Sequence, residues 1–150
     1  METRRRILVV SMLAAGLAAL SVQAQDGQRL LPPDEAFKVS ARQVAARQIE
    51  IEYFIAPGYH LYRDRFAFST DNPAVQVARV ELPPSLVRYD QALGRSVAYY
   101  AERVTIRVAL AGPSIPVRLT AKAQGCAEVG VCYPPITRAY SVPATGGARG

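Results

Sequence analysis

The sequence predicts an all-β domain, an immunoglobulin-like antiparallel β-sandwich, and three observations carry that reading. Apolar and polar residues alternate with period two in several short runs, proline or glycine closes most of them, and no long segment keeps a helical period. Residues 33–37 have room for one helical turn ahead of the strands. Residues 49–55 (IEIEYFI) alternate before the break at Pro57-Gly58. Residues 59–68 add further strand material, with Arg63 and Arg65 as the densest local pair of basic residues. The alternation returns over residues 74–82 through Val75, Val77 and Val80, and ends at Pro83-Pro84. Tyr99-Tyr100 reads as core and edge packing. Residues 104–110 alternate again up to Gly112-Pro113, residues 117–123 lead straight into Gly125-Cys126, and residues 136–142 form the last expected strand.

The two ends differ in kind from this middle. Three arginines within the first six residues precede an apolar run over residues 7–22, and Val22-Gln23-Ala24 offers a cleavage site before Gln25. That is the layout of a secretory leader. At 16 residues the run is shorter than the ~20 that a spanning helix needs. The expected organisation is a cleaved leader over 1–24, a flexible lead-in over 25–29, one folded domain over 30–143 and a Gly-rich disordered tail over 144–150. No membrane span is expected after the leader is removed.

Cleavage removes three of 18 basic and one of 12 acidic residues and leaves a net charge of +4. The surplus is scattered, whereas nucleic-acid binding wants a basic stripe on one face, so no nucleic-acid partner is expected. Both methionines lie in the leader and His60 is the only histidine. Such a chain is poor in soft ligands, which argues against a metal carrier; no metal and no cofactor is expected.

The chemistry-bearing segment is QGCAEVGVCYPP, residues 124–135, which holds the only two cysteines, Cys126 and Cys132. An exported pair invites a disulfide. As a structural staple it would close a ring of seven residues, worth about 2.4 kcal/mol on a loop-entropy estimate, against about 4.7 for a 100-residue loop. As a redox couple it would draw on Gly125 and Gly130, which leave room beside the sulfurs for in-line attack. Pro134-Pro135 would stiffen the exit, and Tyr133 with Tyr59 and Tyr62 would form a shielding aromatic wall. Spacing alone leaves both open, because C-x5-C is not a general redox signature.

The segment closely resembles the cysteine loop in the N-terminal periplasmic domain of the thiol:disulfide interchange protein DsbD. LLPPDEAF at residues 30–37, PGYHLYRDR at 57–65 and DQALGRS at 90–96 are similar too, in the same order, so the resemblance covers about residues 30–143. It implies an immunoglobulin-like fold and a location in the Gram-negative periplasm. It also implies a redox-active Cys126–Cys132 disulfide that relays electrons from a thioredoxin-like donor to thioredoxin-like acceptors. Those acceptors would serve disulfide isomerisation or cytochrome c maturation. Cys132 would form the mixed disulfide with partners, and Cys126 would complete the exchange. Tyr62 matches a family tyrosine near the cysteines, and His60 stands where the family often has another.

Two departures accompany the resemblance. The family's loop often carries a capping phenylalanine, whereas Asp90-Gln91-Ala92-Leu93-Gly94 has no aromatic, so either Leu93 acts as a weaker cover or the pair is less guarded. A full DsbD also continues into a membrane domain and a thioredoxin-like domain. With no third cysteine here, the electron donor is expected to be a separate membrane or thioredoxin-like protein. Two readings remain for His60: a positive neighbour that raises the thiolate fraction, or a packing residue. Asp90 and Glu128 either make the surroundings negative and hold the thiols protonated, or are unrelated solvated carboxylates. The alternative function is an immunoglobulin-like binding domain with an inert bridge.

Overall fold

A computed structural model describes residues 29–91 and 93–144. The expected leader over 1–24, most of the lead-in, Ala92 and the tail beyond Ala144 lie outside the described residues. Among the described residues, eleven strands follow one short helical turn, α1 (Pro33–Ala36). They are β1 (Phe37–Ala45), β2 (Gln48–Ile55), β3 (Tyr59–Tyr62), β4 (Ala67–Thr70), β5 (Gln76–Glu81) and β6 (Leu86–Asp90). β7 (Arg95–Tyr100), β8 (Arg103–Ala111), β9 (Val117–Ala123), β10 (Gly125–Ala127) and β11 (Ile136–Val142) complete them. Every pairing between them is antiparallel.

One layer is the sheet β1-β2-β8-β5. The other is assembled from β10-β3-β7-β6 and β11-β9-β4. A 3-10 turn at Arg63–Arg65 separates β3 from β4, so the same stretch of chain pairs first with β10 and then with β9. The two layers share one core, in which Ile51 and Ile106 from the first meet Leu61, Leu119 and Ala121 from the second, all at 0% exposure. This is an immunoglobulin-like β-sandwich, as the alternation requires: β8 and β9 bury every second residue without a break. Each such aliphatic side chain contributes about 1.5–3 kcal/mol on burial. A core of this extent does not depend on one short disulfide ring.

Four strands were not legible as strands. β1 (FKVSARQVA) interleaves its Phe and two Val with Lys, Ser, Ala, Arg and Gln, which weakens the strand signal. It becomes a strand because β2 offers it a ladder running from Phe37↔Ile55 to Ala45↔Gln48. β6 and β7 form a hairpin around the 90–95 turn, and β10 is only three residues long. The reading of residues 74–82 as one alternating strand needs correction. Val75 is buried ahead of β5, the register shifts between Val77 and Arg79, and Val80 is 37% exposed. β5 lies at the sheet edge, where a bulge is tolerated.

Candidate functional site

Both cysteines sit in a narrow hairpin that extends β10. Tyr133 N donates to Gly125 O at 3.0 Å and Ala127 N donates to Val131 O at 2.8 Å, so Cys126 and Cys132 face each other between two hydrogen-bonded positions. Such a position brings side chains closest together in an antiparallel pair, and the sulfurs are joined as a disulfide. The tip is a turn in which Gly130 N donates to Ala127 O, and Gly130 takes φ +89°, a value that favours glycine. Gly125 has a different role from the open access expected of it. A Cβ there would lie 2.3 Å from His60 O and 2.8 Å from the Phe37 ring, so its missing side chain lets the hairpin seat tightly on β3.

The two sulfurs are unequal. Cys126 is 2% exposed, on the strand that pairs with β3 (Cys126↔His60), whereas Cys132, on the outer arm, is exposed. A cleft of about 420 Å³ is lined by both cysteines together with His60, Tyr62, Arg88, Asp90 and Glu128. Tyr62 Oη lies 3.4 Å from Cys126 Sγ and donates to Asp90 Oδ2 at 2.6 Å. Asp90 is only 8% exposed, and its other oxygen accepts from Leu93 N at 3.0 Å. Burial, and then the hydrogen bond and charge of Asp90, push the Tyr62 hydroxyl up to about 12, so it stays protonated and a donor at neutral pH.

A second group closes the cleft's other wall. Arg88 reaches both oxygens of Glu128 through Nη1 (2.8 and 2.7 Å), and its Nη2 stands 2.7 Å from His60 Nδ1. His60 Nδ1 is also 3.3 Å from Glu128, and the guanidinium stacks over the Tyr99 ring, 4.5 Å from its centroid. His60 is 2% exposed. Burial, then the charge of Arg88, lower its pKa against the opposing pull of Glu128 and Asp90. At neutral pH His60 is therefore an uncharged ring, packed edge-on against Tyr62 and Tyr99. Burial alone would raise Glu128, but the hydrogen bond and charge of Arg88 and His60 outweigh it and hold the carboxyl below its usual range.

Because the folded chain resists protonating His60, the unfolded chain binds more protons below about pH 6.5, the ordinary histidine value. Stability is thus expected to be flat above that pH and to fall as the pH drops from it toward the lowered folded value. Urea midpoints at pH 7.5, 6.5 and 5.5 check this, with His60→Gln expected to lose the slope in that window.

The structure brings Tyr62, His60, Asp90 and Glu128 together around the cysteines and places three other expected residues, Tyr59, Leu93 and Tyr133, elsewhere. The Tyr133 ring turns away from the cleft and packs edge-on against Phe37 (5.6 Å), and its hydroxyl donates to Leu31 O at 2.6 Å. Tyr59 packs beside it and accepts from Leu31 N at 2.7 Å. The aromatic wall thus reduces to Tyr62 on the sulfur side, with Tyr59 and Tyr133 fastening the N-terminal segment to the core. Leu93 is 43% exposed in the 90–95 turn, and the cleft lining does not include it. Arg88 escaped the sequence reading altogether. The only available signal was the alternation of LVRYD in front of the DQALGRS motif.

Comparison with known proteins places these features in company. The family model described as "Thiol:disulfide interchange protein DsbD, N-terminal" matches residues 27–144. The chain is 36% identical over 138 residues to thiol:disulfide interchange protein DsbD of Ralstonia nicotianae, covering 92% of this chain and 23% of that protein. It is 36% identical over 118 residues to DsbD 1 of Pseudomonas aeruginosa, covering 78% of this chain and 20% of that protein. The chain therefore spans about a quarter or less of the length of these relatives. Among solved structures, it superposes on the reduced DsbD N-terminal domain of Neisseria meningitidis with a TM-score of 0.67 and 30% identity, over 78% of this chain and 92% of that one. A complex between the DsbD N-terminal and PilB N-terminal domains from the same organism gives 0.65 and 27%, over 78% and 90%.

Proposed function

This chain belongs to the family of DsbD N-terminal domains, and from that membership we propose that it is a periplasmic thiol–disulfide exchange domain. In this reading the Cys126–Cys132 pair relays electrons between thioredoxin-like proteins. A membrane or thioredoxin-like redox unit is the donor, and periplasmic thioredoxin-like proteins of disulfide isomerisation or cytochrome c maturation are the acceptors. The observation that carries the reading is the asymmetry of the pair, with one sulfur buried beside Tyr62 and the other exposed at a cleft. Val129 and Val131, just ahead of Cys132 in the hairpin, are 61% and 43% exposed, apolar surface on which a protein partner can rest. The neisserial complex of a DsbD N-terminal domain with a PilB N-terminal domain supports a protein rather than a small molecule as the partner.

A donor thiolate attacks Cys132 Sγ and forms an intermolecular S–S bond. The Cys126–Cys132 bond breaks, and its electron pair leaves on Cys126 Sγ, which takes up a proton. The donor's second thiolate then attacks the donor sulfur of the mixed disulfide and releases Cys132 as a thiolate, so the donor loses two electrons and the pair gains them. The same steps in reverse reduce an acceptor.

An inert bridge is the poorer account, because the ring is short and the core is complete without it. The reduction potential separates the two readings. We expect a value above about −300 mV, within reach of thioredoxin-like proteins, and a lower one would return the bridge to a purely structural role.

A further inference from the structure

We propose that Arg88 is a positioning residue of the exchange site, one that fastens the tip of the cysteine hairpin to β6 and sets the charge that the cleft presents to an incoming thiolate. The inference rests on the exchange reading above. It comes from a contact that spans 40 residues of sequence: both Glu128 oxygens, at the hairpin turn, are held by one guanidinium nitrogen of Arg88. The second terminal nitrogen lies on His60, the residue paired with Cys126 across β3 and β10.

The charges around the cleft explain why this matters. Glu128 faces it as a carboxylate, Asp90 accepts from Tyr62 Oη and Leu93 N, His60 and Tyr62 are uncharged at neutral pH, Tyr99 supplies only its ring, and Arg88 is the one full cation among the described residues lining the cleft. Every exchange step places negative charge here, first on the attacking sulfur and then on the departing one. Arg88 offsets the Glu128 charge close to that path and is shielded from water on several sides, its side chain being 29% exposed. Without it, the Glu128 carboxylate would confront each thiolate with no cation beside it. His60 would also lose the cation that helps to keep it neutral, while Glu128 and Asp90 would pull a proton onto it. The two charge-assisted hydrogen bonds from Nη1 additionally anchor a turn whose backbone ties are Gly130 N to Ala127 O and Glu128 N to Gly58 O.

Two small thiols of opposite charge, 2-mercaptoethanesulfonate and cysteamine, test this by reducing the oxidised protein at equal pH and low ionic strength. Arg88→Gln is expected to slow the anionic thiol and speed the cationic one, changing the ratio of their rates on the order of tenfold. Added salt should shrink the change. Arg88→Lys should keep the wild-type ratio, Glu128→Gln should move it in the opposite direction, and Arg88→Gln/Glu128→Gln should return it toward wild type. His60, the only histidine, gives an independent proton NMR readout, and its titration midpoint should rise in Arg88→Gln. Should Arg88→Gln fail to fold, the Glu128→Gln ratio carries the test. Equal changes for both thiols would reduce Arg88 to a mechanical clamp, and an unmoved His60 would remove it from the site; either overturns the inference alone. A wild-type disulfide that resists both thiols overturns the exchange reading, and this inference with it.

Discussion

Cys126→Ser is expected to accumulate a covalent adduct with a thioredoxin-like protein that lacks its own resolving cysteine, while Cys132→Ser accumulates little or none. Attack on a disulfide is in-line, so the sulfur that is open along its bond axis receives the partner. Cys132 stands on the outer arm of the hairpin and is exposed, just after the exposed Val129 and Val131. Cys126 is 2% exposed, on a strand paired to His60 and with its sulfur against Tyr62, and no protein-sized nucleophile can reach it without displacing the hairpin. With a single cysteine left the resolving step is absent, so the mixed disulfide should persist through non-reducing electrophoresis. The expected contrast is nearly all or none. Equal trapping by both variants would reverse the assignment of roles, and trapping by neither would favour the inert bridge.

Gly125→Ala is expected to cost about 3 kcal/mol or more, a large fraction of the stability of a domain this size. The added Cβ would lie 2.3 Å from a backbone oxygen of β3 and 2.8 Å from two ring carbons of Phe37. Neither neighbour can yield cheaply: Phe37 is 1% exposed within the core, and moving His60 O would open the β10–β3 ladder. Relief therefore means lifting the hairpin, which should expose Cys126 and shift the His60 imidazole signal together with the urea midpoint. Gly130→Ala is the control. Nothing lies within 4 Å of its Cβ, so only the positive φ is strained, at about 1–2 kcal/mol. A Gly125→Ala change as small as the control's would show that the hairpin is not seated on β3 as tightly as the geometry implies.

What the sequence by itself determined is local. Period-two alternation marked β2, β8, β9 and β11 because one face of each strand must enter the core, and that requirement is written residue by residue within the strand. The pairing of Cys126 with Cys132 was within reach because five residues with a Gly-containing turn are enough to bring them together. His60, Tyr62, Asp90 and Glu128 were named through motifs, but the sequence did not show what each touches. Only the tertiary structure decided that Arg88 meets Glu128 across 40 residues and that Tyr62 meets Asp90 across 28. It also turned Tyr133 toward Phe37 rather than toward the adjacent sulfur, and it buried one sulfur while exposing the other. Those outcomes depend on which strands are neighbours and in what register: β10 lies on β3 and β6 on β7, and β1 is a strand only because β2 offers a ladder. Alternation marks which residues of a strand face inward but carries no record of the partner strand, so contacts between distant segments emerge only when the layers close on one core.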